Sequence, residues 1–311
     1  MRAVRFTDGK VDVQDTPSPS GDGARVQVRS IGICGSEVHM LDMKFPISVV
    51  PGHEFAGELE DGTPVGVEPL APCGACEQCA TGEYNMCTLG PRMVLGVGRD
   101  GGMGEEVIVP ERSLVYLPAN VGVKDACLIE PLAVALHGLR KAGLDGRMRV
   151  GVVGGGAVGL CAVASAVDAC AEVGLAARYP HQIEAGRRLG AKDVAGTYDL
   201  VVECAGSASA VNEAVQLCRP NGRLLLLGTF WDGLNLPHYA VAQKGLTLFV
   251  ALMYAISGIG RDCDMAAALL AGNPEIARCL ITHRFPLEEA PKAFDVARNR
   301  KAGAIKVVLE P

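Results

Sequence analysis

The sequence predicts an α/β fold joined to an antiparallel β domain, and three observations carry that prediction. Residues 1–120 read as short alternating strands, among them Arg25 to Ile31 and Glu106 to Val109, separated by Gly, Pro and Asp turns as in antiparallel sheets. From about residue 130 the rhythm changes: helical stretches at 157–169, 180–189 and 207–218 alternate with apolar strands at 149–153, 172–177, 199–203 and 222–227. That is the pattern of a parallel sheet with crossover helices. Ala304 to Leu309 then returns to a strand. The expected division is therefore 1–130 with 264–311 as one domain and 131–263 as the other.

Composition supports two cores and excludes some partners. A chain of 311 residues that is 49% hydrophobic can bury a sizeable interior. Its formal charge of −6 comes without a Lys/Arg cluster, which argues against nucleic acid and anionic membranes as partners. The stretches 150–167 and 245–260 are apolar, but glycine turns interrupt the first and the second is short for a span, so both read as buried elements. The N-terminus, Met-Arg-Ala-Val-Arg-Phe, lacks an apolar leader segment, and twelve cysteines then suggest a reducing, cytoplasmic setting without disulfides.

One element of the parallel sheet is short of residues. A full doubly wound sheet has its third strand at one edge and its fourth beside the first, so the connection must run back and cross the sheet. Only Gly196, Thr197 and Tyr198 separate a possible third strand, Asp193 to Ala195, from the strand at 199–203. Four extended steps reach roughly 14 Å, too little to retrace a strand and cross its neighbours. The third strand and its helix are expected to be missing or rudimentary, with 191–198 as the crossing loop.

Gly154, Gly156 and Gly159 form Gly-x-Gly-x-x-Gly, with Ala157 and Val158 inside it, between the strand at 149–153 and an apolar helix. In that context backbone N–H groups at the helix start face a dinucleotide pyrophosphate. The next strand ends Ala177-Arg178-Tyr179, where an NAD site would place an acidic residue. Ala177 removes a charge that would repel a 2′-phosphate, Arg178 offers a fork of donors and Tyr179 an OH, so NADP is favoured over NAD. Cys204-Ala205-Gly206 and Leu227-Gly228-Thr229 follow parallel strands, where a cofactor meets the carboxyl edge of the sheet.

Cys73, Cys76, Cys79 and Cys87 can wrap one tetrahedral Zn²⁺ with no open position, so the lobe at about 70–90 reads as a structural zinc site. Cys127, Cys161, Cys170, Cys204, Cys218, Cys263 and Cys279 lack such spacing and read as buried small residues. His137, His181, His238 and His283 are left as structural or surface residues.

The segments Gly32-Ile33-Cys34-Gly35-Ser36-Glu37-Val38-His39, Pro51-Gly52-His53-Glu54-Phe55-Ala56-Gly57-Glu58 and Ile129-Glu130-Pro131-Leu132 resemble the zinc-dependent medium-chain alcohol dehydrogenases. The branch they resemble is that of the polyol, threonine and glucose dehydrogenases, and the likeness spans essentially the whole chain. It implies a GroES-like catalytic domain and a Rossmann cofactor domain, two zinc ions per chain, a small alcohol or carbonyl substrate, and a homodimer or homotetramer. It also implies Cys34 and His53 as ligands of a catalytic zinc, with Glu54 and Glu130 each a direct or water-linked ligand, and a proton relay through Ser36, a ribose hydroxyl and His39. Lys306 falls where the family places a basic residue toward the pyrophosphate. Cys127, three positions before Glu130, is an alternative ligand.

One soft, one borderline and one hard ligand leave a tetrahedral position open for a substrate oxygen, which suits Lewis-acid catalysis of hydride transfer. The rival readings are a zinc-free quinone or enoyl reductase of the same superfamily and a non-catalytic dinucleotide-binding protein. The substrate wall is expected from Ser36, Leu41 to Ile47 and Val94 to Val97, few of which are polar. A shortened turn between Glu58 and Glu68 sets this chain apart from its relatives.

Overall fold

The computed structural model describes every residue except Ile259. Two compact units result: Met1–Glu130, Ala255–Ala277 and Ile281–Pro311 form one, and Pro131–Tyr254 with Arg278–Leu280 the other. The return to the first unit, expected at 264, comes at Ala255.

In chain order the first unit begins with β1 (Arg2–Thr7), β2 (Lys10–Asp15), β3 (Ala24–Gly32), α1 (Gly35–Asp42), β4 (Glu54–Leu59), β5 (Pro64–Val67), α2 (Glu77–Ala80), β6 (Glu106–Val109) and β7 (Leu114–Tyr116). The period of two is plain in β3, where Val26, Val28 and Ser30 are buried while Gln27 is half-buried and Arg29 exposed. This strand pairs antiparallel with β4 through Ile31↔Phe55 and Gly32↔Glu54, and with β6 through Val26↔Val107. The core beneath holds Val26, Val28, Ile31, Phe55, Val65 and Phe294.

The second unit follows α3 (Ile129–Lys141) with β8 (Arg149–Val153), α4 (Ala157–Asp168), β9 (Glu172–Ala176), α5 (Pro180–Arg188), β10 (Lys192–Asp193), β11 (Tyr198–Glu203), α6 (Ala208–Leu217), β12 (Cys218–Leu226), α7 (His238–Lys244) and β13 (Thr247–Val250). All are parallel in the order β10-β9-β8-β11-β12-β13, a doubly wound sheet. Central strands covered on both faces need unbroken apolar runs, and Leu200–Val202 and Leu224–Leu226 are buried accordingly.

At the third-strand position β10 has two residues, paired Lys192↔Gly174 and Asp193↔Leu175, and residues 194–197 alone lead from it to β11 without a helix. Pairing thus falls at 192–193, and the 193–195 segment forms no regular strand. What occupies the sheet face there is Tyr198. A Cβ on Gly174 would lie 2.1 Å from the Tyr198 Oη, so that glycine is required for the ring to lie against β9, and one on Gly151 would crowd the ring at 3.0 Å. The Ala195 N–H donates to the Tyr198 Oη at 3.0 Å. Arg149 stands 4.8 Å from the ring centroid and donates to the carbonyls of Thr197 at 2.5 Å and Ala195 at 2.9 Å, fastening the crossing loop.

The chain closes with β14 (Ile256–Ser257), β15 (Gly260–Arg261), α8 (Asp262–Gly272), α9 (Glu275–Leu280), β16 (Ile281–Pro286), α10 (Ala290–Arg298) and β17 (Lys306–Glu310). β17 inserts between β16 and β3, parallel to the first and antiparallel to the second, with Val308 opposite Gly32. The C-terminal strand thereby brings Lys306 to the end of β3. Among the described residues no helix is long and apolar enough to cross a membrane, and the twelve cysteines are all free.

Candidate functional site

Strand pairing creates the first cluster. Cys34 follows the end of β3, His53 precedes β4 and Glu54 begins it; because these strands are antiparallel neighbours, residues 20 positions apart arrive at one edge. The donor atoms of Cys34, His53 and Glu54 all lie within 4.8 Å of one another. Gly32 makes room: a Cβ there would sit 2.2 Å from Glu54 Oε2 and 3.1 Å from the Lys306 side chain.

Glu37, fully buried in α1, supports the cluster from behind. Its Oε2 accepts the Cys34 N–H at 2.9 Å, and its Oε1 lies 3.0 Å from His53 Nδ1. A carboxylate on Nδ1 orients the ring and leaves Nε2 as the ligating nitrogen, the arrangement typical of metal-bound histidines. Burial works against charge on His53, but Glu37 and Cys34 together outweigh it and hold its pKa well above the ordinary value. This anionic setting favours a positive charge at the centre, and a soft, a borderline and a hard donor fit zinc. Glu37 was missed from sequence, although Cys34-Gly35-Ser36-Glu37 has the Ser/Thr-x-x-Glu capping-box spacing with Cys at its head.

Ser36 Oγ donates to Cys34 Sγ at 3.2 Å and lies 3.5 Å from His53 Nε2. His39 is exposed one turn further along α1. Glu130 is 8% exposed at the start of α3 and falls outside the three-donor group. Cys127 is also outside it; burial pushes its thiol up to about 12, with Glu54 and Lys306 as charged neighbours.

Lys306 departs from the expectation of a pyrophosphate contact. It is 2% exposed, and its Nζ donates to Glu54 Oε1 at 2.7 Å, to Oε2 at 2.5 Å and to the Ile33 carbonyl at 3.3 Å. Burial opposes its charge, yet Glu54 keeps the pKa above that of an ordinary lysine. A buried ammonium needs such a partner, so this lysine is committed to Glu54 rather than to an anion in solvent.

The second cluster is the cysteine lobe, where Cys73, Cys76, Cys79 and Cys87 also bring their sulfurs within 4.8 Å of one another. The Cys73 N–H points at Cys87 Sγ at 3.3 Å, and N–H groups of Thr88 and Cys79 pull Cys76 down to about 6. Backbone donors aimed at sulfur stabilise thiolates, and four of them make a closed tetrahedral set. Buried Tyr84 anchors the lobe, with the Arg112 guanidinium 4.8 Å from its ring.

In the second unit the glycine turn lies between β8 and α4 as expected. Gly154 adopts φ 108°, and a Cβ on it would meet Ala205 N at 3.0 Å; one on Gly159 would lie within bonding distance of the Gly154 carbonyl oxygen. Gly156 is the residue preceding α4, followed by Ala157 and Val158 in its first turn. Ala177, Arg178 and Tyr179 follow β9; Arg178 is exposed and makes no ion pair or hydrogen bond with the described residues, and Tyr179 stacks on His181 at 5.6 Å. Loops 204–206 and 227–229 both leave the carboxyl ends of their strands.

Comparison with known proteins matches this arrangement. Residues 20–119 fit the family model described as "Alcohol dehydrogenase GroES-like domain", and residues 157–270 that described as "Zinc-binding dehydrogenase". The chain belongs to the zinc-dependent medium-chain alcohol dehydrogenases, in their polyol-type branch. It is an oxidoreductase acting on CH–OH groups. Galactitol 1-phosphate 5-dehydrogenase of Escherichia coli strain K12 is 28% identical over 351 positions, covering 99% of each chain. At least 40 of those positions (351 − 311) face gaps in this shorter chain. Sorbitol dehydrogenase of Halalkalibacterium halodurans is 28% identical, covering 97% of this chain and 95% of the relative. Among solved structures, a zinc-binding dehydrogenase from Sinorhizobium meliloti 1021 bound to NADP superposes with a TM-score of 0.86 at 29% identity, over 100% and 99% of the two chains. Galactitol-1-phosphate dehydrogenase from Escherichia coli gives 0.88 at 27%, over 100% of both.

Proposed function

We propose that this dehydrogenase interconverts a secondary alcohol of polyol, sugar or cyclitol type and its carbonyl, using NADP and two zinc ions per chain, one catalytic and one structural. The observation that carries the catalytic assignment is the Cys34, His53 and Glu54 group with fully buried Glu37 behind it. When bound, zinc supplies Lewis acidity to a substrate oxygen and the dinucleotide accepts the hydride.

The protein's own groups do the rest. Glu37 fixes the His53 ring, and Lys306 balances the charge of the buried Glu54 carboxylate beside the other two donors. Ser36 Oγ, beside both Cys34 and His53, takes the substrate proton and passes it toward exposed His39. Ser36→Ala is expected to reduce kcat by roughly 10²-fold or more while leaving metal content unchanged, because a positioned proton carrier is worth that much. Wild-type turnover in that variant would remove Ser36 from the path.

The preference for NADP rests on uncharged Ala177 and the unpaired Arg178 guanidinium after β9. Ala177→Asp combined with Arg178→Ala is expected to lower kcat/KM for NADP and raise it for NAD, reversing the preference; unchanged ratios would count against the assignment. Polyol-type substrates are supported by relatives named for galactitol 1-phosphate and sorbitol. Assay of a panel of sugars, cyclitols and secondary alcohols with each cofactor tests the substrate class directly. Exposed Leu248 and Val250 on edge strand β13 support pairing of two chains into a homodimer, or further into a homotetramer.

A further inference from the structure

Glu203, the last residue of β11, has no role in the chemistry above, yet it is a fully buried carboxylic acid at the carboxyl edge of the dinucleotide-binding sheet. Its Oε1 accepts the N–H groups of Ala205 and Gly206, both at 2.8 Å. Its backbone carbonyl accepts those of Leu227 at 2.9 Å and Gly228 at 3.0 Å. One residue therefore binds both loops that follow β11 and β12. Oε2 is buried without a hydrogen-bond partner among the described residues.

The loops are pressed together as closely as backbone permits. A Cβ on Gly228 would stand 2.4 Å from Gly206 N and 2.5 Å from Glu203 Oε2, and one on Gly206, at φ 67°, would stand 2.5 Å from the Thr229 carbonyl oxygen. The glycine turn joins the same contact, since Gly154 has Ala205 N and Cys204 C at 3.0 and 3.2 Å from its Cβ position. Loops 204–206 and 227–229 thus meet at this one residue, and the glycine turn packs on the first of them. Burying a carboxylic acid is costly, and burial does push the Glu203 pKa up, while N–H groups of Ala205, Gly206, Ser207 and Gly228 pull it back. Capping a strand end alone would not need a residue of this kind.

We propose that Glu203 is a positioning residue that sets the affinity for the nicotinamide dinucleotide by holding loop 204–206 against loop 227–229 and the glycine turn. This rests on the assignment of those loops as the cofactor site. The glutamate acts through the backbone N–H groups that it orients and does not touch the reacting atoms.

The chain has one tryptophan, Trp231, two residues beyond Thr229, so its fluorescence reports on this loop without a label. Dissociation constants for NADPH and NADH are read from its quenching, alongside steady-state kinetics, in the wild type and in Glu203→Gln, Glu203→Leu and Gly228→Ala. Gln keeps one acceptor oxygen and Leu keeps none, so the dissociation constant for the preferred cofactor should rise roughly tenfold or more in the Leu variant and by less in the Gln variant. Gly228→Ala, whose Cβ would press on Gly206 N and on Glu203 Oε2 and so part the loops without removing the carboxylate, should also weaken the cofactor. The loss should appear in the cofactor KM more than in kcat, and leave zinc content and the KM for the alcohol near wild type. Folded Gln and Gly228→Ala variants with wild-type cofactor affinity would overturn the proposal, as would equal losses in kcat and zinc. A wild type that bound neither dinucleotide would instead overturn the cofactor site itself, and the proposal with it.

Discussion

Replacement of Cys34 by alanine is expected to lower kcat by at least about a thousandfold, because losing a ligand forfeits several kcal/mol of Lewis-acid stabilisation at roughly 1.4 kcal/mol per tenfold. Metal content should fall by one equivalent per chain, with the cysteine lobe retaining the other. The lobe draws its four sulfurs from residues 73–87 alone and shares none with the Cys34 group, so the two losses are separable. Cys76→Ser is the complementary variant, expected to release the lobe metal and lower thermal stability while the Cys34 group keeps its zinc. The check is metal analysis beside turnover. Full zinc and wild-type turnover in Cys34→Ala would refute the catalytic assignment.

Tyr198→Ala should produce the largest loss of stability, about 3–5 kcal/mol, since it deletes a fully buried aromatic ring packed against two strands. The melting temperature of the cofactor unit should fall on the order of 10 °C. The reason for the size lies in what the ring holds in place. In this unit the ring packs against Gly151 and Gly174, supports the 194–197 crossing through the Ala195 N–H, and receives Arg149 on its face. Tyr198→Phe, which removes only the acceptor for that N–H, should cost about 1 kcal/mol. Denaturant unfolding measures both; an alanine variant within about 1 kcal/mol of wild type would show that the crossing is held by other means.

The features of this chain differed in how well they could be read. Cys73, Cys76, Cys79 and Cys87 are near neighbours in the chain, so spacing alone announced the lobe. Gly154, Gly156 and Gly159 were equally legible, because a strand, a turn and a helix in series fix their own geometry. The shortage of residues between Asp193 and Asp199 set a limit on the third strand through chain reach. None of these inferences required knowing what lies next to what in space.

Side chains facing one another across strands were another matter. Lys306 is 252 residues from Glu54, and only the insertion of β17 beside β3 makes them an ion pair; the family resemblance implied a pyrophosphate contact instead. Glu37 and Glu203 are ordinary acidic residues in the sequence, and their burial against backbone N–H groups depends on the turns that surround them. Tyr198 gave no sign that its ring would lie against β8 and β9. By itself the sequence determined the two-domain order, the glycine turn and the cysteine lobe, since local periodicity and short-range spacing carry that information. The tertiary structure alone decided which carboxylates stand behind His53 and beside Lys306, and what fills the gap over β8 and β9, because burial and strand register are properties of the packed chain.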